Sequence, residues 1–177
     1  MDGTMAALVL GLSLVDMGLN HCPTDCLGAA NTDPRWALSG GVVIFQDEAE
    51  DAELYLRRDF GVLLGPLQPS LGLSLTSEGS TWVGAGALYR LDGPRGLYFE
   101  GHIMPGVYFP ADGRDLGGAL QFRSGIEIGH EAPSGLRYGL ALDHRSNGDL
   151  LRYNPGLETV QVRVSWPTGR RGDAKAP

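Results

Sequence analysis

The sequence is poor in lysine and in long apolar runs. Lys175 is the one lysine among 14 basic residues, and the formal net charge is −7. An acidic chain without a basic stripe has no surface to meet a row of phosphates, which argues against a nucleic-acid partner. No uninterrupted apolar run reaches the roughly 18–20 residues that a transmembrane helix requires. If the chain crosses a membrane, it must therefore cross as a closed β-barrel.

Cysteine is also scarce, since the chain has two, Cys22 and Cys26, in the segment Cys-Pro-Thr-Asp-Cys. Two thiols with His21 beside them do not make a four-ligand zinc site. A redox role would be the more specific interpretation, but the pair follows an apolar leader and not a βαβ pattern. We interpret these cysteines as incidental and predict no cofactor or metal.

The N-terminal segment resembles a secretory leader. Met5 to Val15 is apolar, and the small residues Gly28-Ala29-Ala30 follow it as a cleavage zone would. No lysine or arginine precedes the run, which a start assigned too far downstream would explain. We predict that residues 1–30 are an atypical or truncated signal peptide and that the mature chain starts near Asn31. A short buried helix is the alternative.

Residues 31–166 have the pattern of an all-β domain. Alternating and glycine-rich segments are separated by turn clusters at fairly regular intervals, which is typical of a sandwich or barrel. Residues 167–177 are expected to form a disordered tail. The eight predicted strands are Trp36–Gln46, Ala52–Gly61, Leu67–Thr76, Thr81–Leu91, Gly96–Phe109, Gly118–His130, Leu136–Ser146 and Glu158–Trp166.

One face of most predicted strands is strongly apolar. In the third strand Leu71, Leu73 and Leu75 alternate with Gly72 and Ser74, and the fifth, sixth and eighth strands repeat this contrast. A soluble lipocalin-like barrel would turn the apolar faces inward around a ligand. An outer-membrane barrel would turn them outward toward lipid.

Small and charged residues on the polar faces favour the second arrangement, because they suit a crowded interior. Arginines and carboxylates could then pair across a narrow lumen. The sequence therefore predicts an eight-stranded antiparallel up-and-down transmembrane β-barrel in the outer membrane. The residues expected to pair are Arg123, Arg137 and Arg163 with Glu100, Glu127 and Asp143.

The seventh predicted strand ends in polar residues on its apolar face. With both termini on the periplasmic side, His144 and Ser146 lie near the outer end of that strand. Strand parity places Glu158 on the same lipid-facing side, where it could pair with His144 across the hairpin at ~5 Å between Cβ atoms. Residues two apart on a strand lie ~6–7 Å apart at Cα, so the three side chains could meet.

This set has the composition of a hydrolytic triad. A serine hydroxyl becomes a nucleophile when a histidine accepts its proton, and a carboxylate fixes the histidine tautomer. Placing a histidine and a carboxylate against hydrocarbon is costly unless they satisfy each other. The alternative is that all three are ordinary polar residues in the headgroup zone.

The segment from His144-Arg-Ser146-Asn147 through Asn154-Pro-Gly to Glu158 resembles the C-terminal signature of the lipid A 3-O-deacylases of PagL type. The resemblance implies an eight-stranded outer-membrane esterase that cleaves the acyl ester at position 3 of lipid A. It implies Ser146 as nucleophile, His144 as general base and acid, and Glu158 as the orienting carboxylate. It also implies that the Asn154 side chain and a backbone amide just after the serine donate to the oxyanion.

Two further residues of this segment need comment. Asn147 falls on the lumen face by parity and is interpreted as support for the loop. Position 149 departs from the family pattern, which has glycine three residues after the serine, whereas this chain has Asp149. A carboxylate that faced a developing oxyanion would oppose catalysis. Arg145 and Arg152, near the outer rim, could contact phosphates of lipopolysaccharide.

The sequence alone leaves alternatives open. The protein could be a non-enzymatic small outer-membrane barrel or a soluble lipocalin-like binder in place of an esterase. Formation of a homodimer is also open. The expected partners are lipid A, as part of lipopolysaccharide, and the outer membrane itself.

Overall fold

A computed structural model describes residues 3–168 of the chain. Eight long strands run through these residues, each antiparallel to the next. Their sequence supports this because β-branched and leucine residues alternate with small or polar ones. The strands are β1 (Arg35–Phe45), β2 (Glu48–Asp59), β3 (Leu67–Thr76), β4 (Thr81–Asp92), β5 (Leu97–Phe109), β6 (Leu120–Glu131), β7 (Arg137–Ser146) and β8 (Leu157–Pro167).

The sheet closes on itself. Strand β8 pairs with both β7 and β1, and Trp166 stands opposite Trp36 in the closing seam. Closure leaves no unpaired strand edge in hydrocarbon. The predicted eight-stranded up-and-down barrel is therefore confirmed. The predicted bounds of the third strand agree with β3, while the others shift by one to four residues.

Two short strands within residues 3–168 were not predicted. Ala29–Asn31 pairs with Val62–Leu64 beside the turn between β2 and β3. Three-residue strands are too short to show periodicity in the sequence.

Most aliphatic side chains of the strands point outward, and most polar side chains point into the lumen. Leu71, Leu73 and Leu75 are about half exposed, whereas Ser70 and Ser74 on the opposite face of β3 are buried. A soluble lipocalin-like barrel would have the reverse arrangement, so that alternative is wrong. The outer surface matches a lipid environment.

The lumen is filled by ion pairs and aromatic rings. Glu53 accepts hydrogen bonds from Arg123 (2.7 Å) and Gln161 (2.7 Å), and it also pairs with Arg145. Arg123 additionally donates to Asp143 at 2.6 Å. Buried charges are tolerated when they are paired in this way.

The predicted cross-lumen pairing is correct in part. Arg123 pairs with Asp143, and Arg163 pairs with Glu127 at 2.8 Å. The prediction for Arg137 is wrong, because this side chain lies at the rim and donates to Glu131 at 2.7 Å. Residue parity fixes the face, but the barrel stagger decides which partner is within reach.

The two ends of the barrel differ in their connections. Residues 110–119 and 147–156 form long connections at one end, whereas the strand termini Arg35 and Pro167 lie at the opposite end. Long loops are external in outer-membrane barrels and short turns are periplasmic. The external end is therefore the one that carries His144 and Ser146.

The N-terminal segment is helical. Helix α1 (Thr4–Asp16) continues into a π-helical turn, Met17–His21, and Val9 packs against Gly101 on the outer wall. Thr4–His21 is long and apolar enough to span a membrane by length and composition, which amends the sequence-based statement about apolar runs. The signal peptide over residues 1–30 stays a prediction. Cys22 and Cys26 form a disulfide.

The barrel ends later than predicted. Pro167 is the last residue of β8 and pairs with Arg35, and the backbone amide of Thr168 donates to Pro34 O at 2.8 Å. The predicted disordered tail, 167–177, is therefore wrong for its first two residues. Its remainder lies outside the described residues.

Removal of the Glu53 carboxylate tests the lumen network. We expect Glu53→Ala to lower the free energy of unfolding by about 3–5 kcal/mol, because it leaves Arg123 and Arg145 buried with a missing partner. The measurement is the urea midpoint of the barrel in lipid vesicles. Glu48→Ala, at an exposed position of β2, is the matched control and should leave the midpoint unchanged. Equal midpoints for the two variants would contradict the structural role of Glu53.

Candidate active site

His144 and Glu158 face each other across the β7–β8 hairpin. The two residues are directly paired in the strand register, and His144 Nδ1 lies 3.1 Å from Glu158 Oε1. Both side chains are on the outer wall, yet the histidine side chain is 8% exposed and the carboxylate side chain 19%. A carboxylate at this distance favours the tautomer with the proton on Nδ1, which leaves Nε2 as the acceptor.

Ser146 is the last residue of β7 and shares the outer face with His144. It is half-buried and lines a cleft of about 730 Å³ at the external end of the wall. The cleft is therefore open to the region where lipid headgroups meet acyl chains. Its lining residues are Gly3, His144, Ser146, Gly148, Asp149, Asn154, Pro155 and Gly156.

Gly156 lines the cleft next to the imidazole ring of His144. Its φ is +66°, in the left-handed region that favours glycine, and a Cβ there would lie 2.9 Å from His144 Cε1. The backbone can pass this close to the histidine ring because glycine has no side chain. Asn-Pro-Gly in the sequence indicated a turn, but it did not indicate this contact.

Asn147 holds the external loop to the barrel. The residue is 1% exposed, and its Nδ2 donates to Leu116 O (3.2 Å) and Tyr153 O (2.7 Å). These bonds join the two long external connections of the barrel. The position of Asn147, inside the wall and away from the cleft, agrees with its interpretation as loop support.

Asn154 is held from two sides. Its Oδ1 accepts from the backbone amide of Asn147 (2.9 Å), and its Nδ2 donates to Asp149 Oδ1 (2.8 Å). The backbone amide of Asn147, the residue directly after the serine, is therefore used by Asn154. A backbone amide donor to the oxyanion stays a prediction. The second N–H of the Asn154 amide group is the donor that this arrangement leaves for the cleft.

The comparisons with known proteins identify the family of the chain. The family model for lipid A 3-O-deacylase (PagL) matches residues 54–167, which is more than half of the chain. The chain belongs to this family. A comparison with curated proteins gave no match.

Three solved structures share the fold of this deacylase. The crystal structure of the outer membrane enzyme PagL has 18% sequence identity and a TM-score of 0.60, and the match covers 75% of this chain and 99% of that one. The crystal structure of Neisserial surface protein A (NspA) has 11% identity and a TM-score of 0.51, with coverages of 79% and 99%. A de novo designed transmembrane β-barrel has 9% identity and a TM-score of 0.54, with coverages of 77% and 96%.

Family and fold together identify an outer-membrane lipid A deacylase. The structure brings His144, Ser146 and Asn154 to one cleft, with Glu158 in contact with His144 and Asn147 behind the cleft. Arg145 was expected near phosphates, and this expectation is wrong. Its side chain points into the lumen, where it donates to Ser74 Oγ at 3.1 Å and pairs with Glu53.

Substitution of Gly156 tests whether close packing of the backbone against the His144 ring is needed for deacylation. We expect Gly156→Ala to lower the deacylation rate by roughly 10- to 100-fold, because the new Cβ displaces His144 from Glu158 and small misplacements of catalytic groups are costly. The rate is measured on lipid A in detergent micelles. Gly40→Ala is the matched control, since a Cβ at Gly40 would meet nothing within 4 Å. A Gly156→Ala protein with the rate of the control would contradict the contact.

Proposed function

We propose that this deacylase is a serine esterase that removes the acyl chain at position 3 of lipid A. The observation that carries the proposal is the His144 Nδ1–Glu158 Oε1 contact at 3.1 Å beside Ser146, on the lipid-facing wall. A histidine and a carboxylate are expensive on such a surface, so a purely structural protein would have little reason to keep them there. A hydrolytic triad gives them a function at that depth.

The first half of the reaction forms an acyl-enzyme. Ser146 Oγ attacks the ester carbonyl carbon while His144 Nε2 takes the hydroxyl proton. Glu158 accepts the Nδ1–H hydrogen bond and stabilises the imidazolium. The bond between the carbonyl carbon and the sugar oxygen then breaks, and His144 returns the proton to that sugar oxygen.

The second half releases the fatty acid. A water molecule from the external side attacks the acyl carbon, and His144 Nε2 accepts its proton. The bond to Ser146 Oγ breaks and the proton returns to the serine. In both halves the second Nδ2–H of Asn154 donates to the oxyanion, which is the usual means of stabilising the tetrahedral state. No cofactor takes part in this scheme.

The outer wall allows the substrate to stay in the membrane. Below the cleft, Leu140 is 66% exposed and Val162 is 58% exposed, and they face lipid from neighbouring strands. The acyl chain can lie along these residues while its ester reaches Ser146. The headgroup then remains with the external loops, so the proposed substrate need not leave the leaflet.

Substitution of the nucleophile tests the proposal. We expect Ser146→Ala and His144→Ala each to lower deacylation by about 10⁴-fold or more, and Glu158→Ala to have a smaller effect. The measurement is mass spectrometry of lipid A from cells that express each variant, with tandem spectra to locate the missing acyl chain. Ser134→Ala, in an exposed periplasmic turn, is the matched control.

Heat-modifiable mobility in gels establishes that each variant forms the barrel. Retention of deacylation by a folded Ser146→Ala protein would overturn the mechanism. Loss of an acyl chain from a position other than 3 would overturn the proposed specificity and leave the esterase chemistry standing.

A further inference from the structure

Asp149 lies in the lining of the cleft, although a carboxylate there would oppose an oxyanion. Its contact explains how it can be accommodated. Asp149 Oδ1 accepts a hydrogen bond from Asn154 Nδ2 at 2.8 Å. The negative charge is therefore directed at the amide group of Asn154.

This hydrogen bond fixes the orientation of the Asn154 amide. An ionised carboxylate only accepts hydrogen bonds, so the Asn154 atom beside it must be the nitrogen. The backbone amide of Asn147 only donates, so the atom beside it, at 2.9 Å, must be the oxygen. The two contacts demand the same orientation, and each excludes the flipped amide.

The backbone brings Asp149 to this position. Gly148 and Asp149 have φ values of +64° and +59°, and Leu150 N donates to Asn147 O at 3.3 Å to close the turn. Two consecutive positive φ values occur in type I′ turns, which favour Gly, Asn and Asp. Asp is thus one of the few residues that both tolerate this backbone and supply a carboxylate.

We propose that Asp149 is a positioning residue for deacylation: it holds the Asn154 amide so that the second Nδ2–H faces the reacting ester. This inference rests on the proposed function of Asn154 as an oxyanion donor. Asp149 acts through Asn154 and does not touch the substrate. Without the Asp149 carboxylate, only the hydrogen bond from the Asn147 backbone amide holds the Asn154 side chain. The second Nδ2–H of Asn154 is then less well preorganised.

Two substitutions separate this role from a role in the turn. Asp149→Gly suits the positive φ and removes the acceptor, whereas Asp149→Asn also suits it and keeps an acceptor oxygen. We expect Asp149→Gly to lower kcat about 10-fold with KM nearly unchanged, because preorganisation acts in the transition state. We expect Asp149→Asn to keep kcat within about twofold, since the oxygen acceptor remains.

A double-mutant cycle links the effect to Asn154. In an Asn154→Ala background, Asp149→Gly should cause no further loss, because the group that Asp149 positions is gone. The assay is deacylation of lipid A in micelles by full-length protein with confirmed heat-modifiable mobility. Asp112→Ala, an exposed aspartate of the other long external connection, should leave kcat unchanged.

The outcomes are distinguishable from those that test the triad. An inactive Ser146→Ala protein together with a fully active Asp149→Gly protein would overturn the positioning role and leave the esterase intact. The role would also be overturned by an equal loss in Asp149→Asn and Asp149→Gly, or by an undiminished effect of Asp149→Gly in the Asn154→Ala background. An active Ser146→Ala protein would instead overturn the mechanism on which the inference rests.

Discussion

The closed barrel of this deacylase follows from the need to pair backbone hydrogen-bonding groups in hydrocarbon. An unpaired N–H or C=O in the membrane costs several kcal/mol, and a chain that crosses with strands must therefore close its sheet. Pairing of β8 with β1 provides the closure. Closure makes one face of each strand the lumen and the other the lipid surface, so a shift of one residue would move a side chain from one environment to the other.

The proposed catalytic residues are an exception to the usual distribution of polar side chains between lumen and lipid surface. The fully buried arginines and carboxylates of the described barrel lie in the lumen, but His144 and Glu158 lie on the wall that faces lipid. Their mutual contact lowers the cost of placing both groups there. An enzyme with its site in the lumen would have to extract a lipid into a space that arginine and tyrosine side chains already fill. A site on the wall avoids that extraction.

The features that depend on the local periodicity of the chain could be predicted from the sequence. Strand positions, the faces of the strands and the pairing of residue 144 with residue 158 follow from a two-residue repeat and from the direct succession of β7 and β8 along the chain. Partners across the lumen could not be predicted as well, as Arg137 shows, because they depend on the stagger of the closed barrel. The contacts of Gly156 with His144 and of Asp149 with Asn154 were not predicted either. They depend on the backbone angles of a ten-residue loop, which the sequence pattern does not give.

The filled lumen has a consequence for the membrane as a whole. Trp82, Tyr55 and Arg123 are fully buried at the centre of the barrel, and the Arg123 guanidinium carbon lies 4.0 Å from the centre of the Tyr55 ring. These large side chains occupy the interior of the described barrel. In the proposed mechanism, the water for hydrolysis reaches the cleft from the external surface and not through the lumen. A cell could carry many copies of this enzyme without making its outer membrane leaky to small solutes.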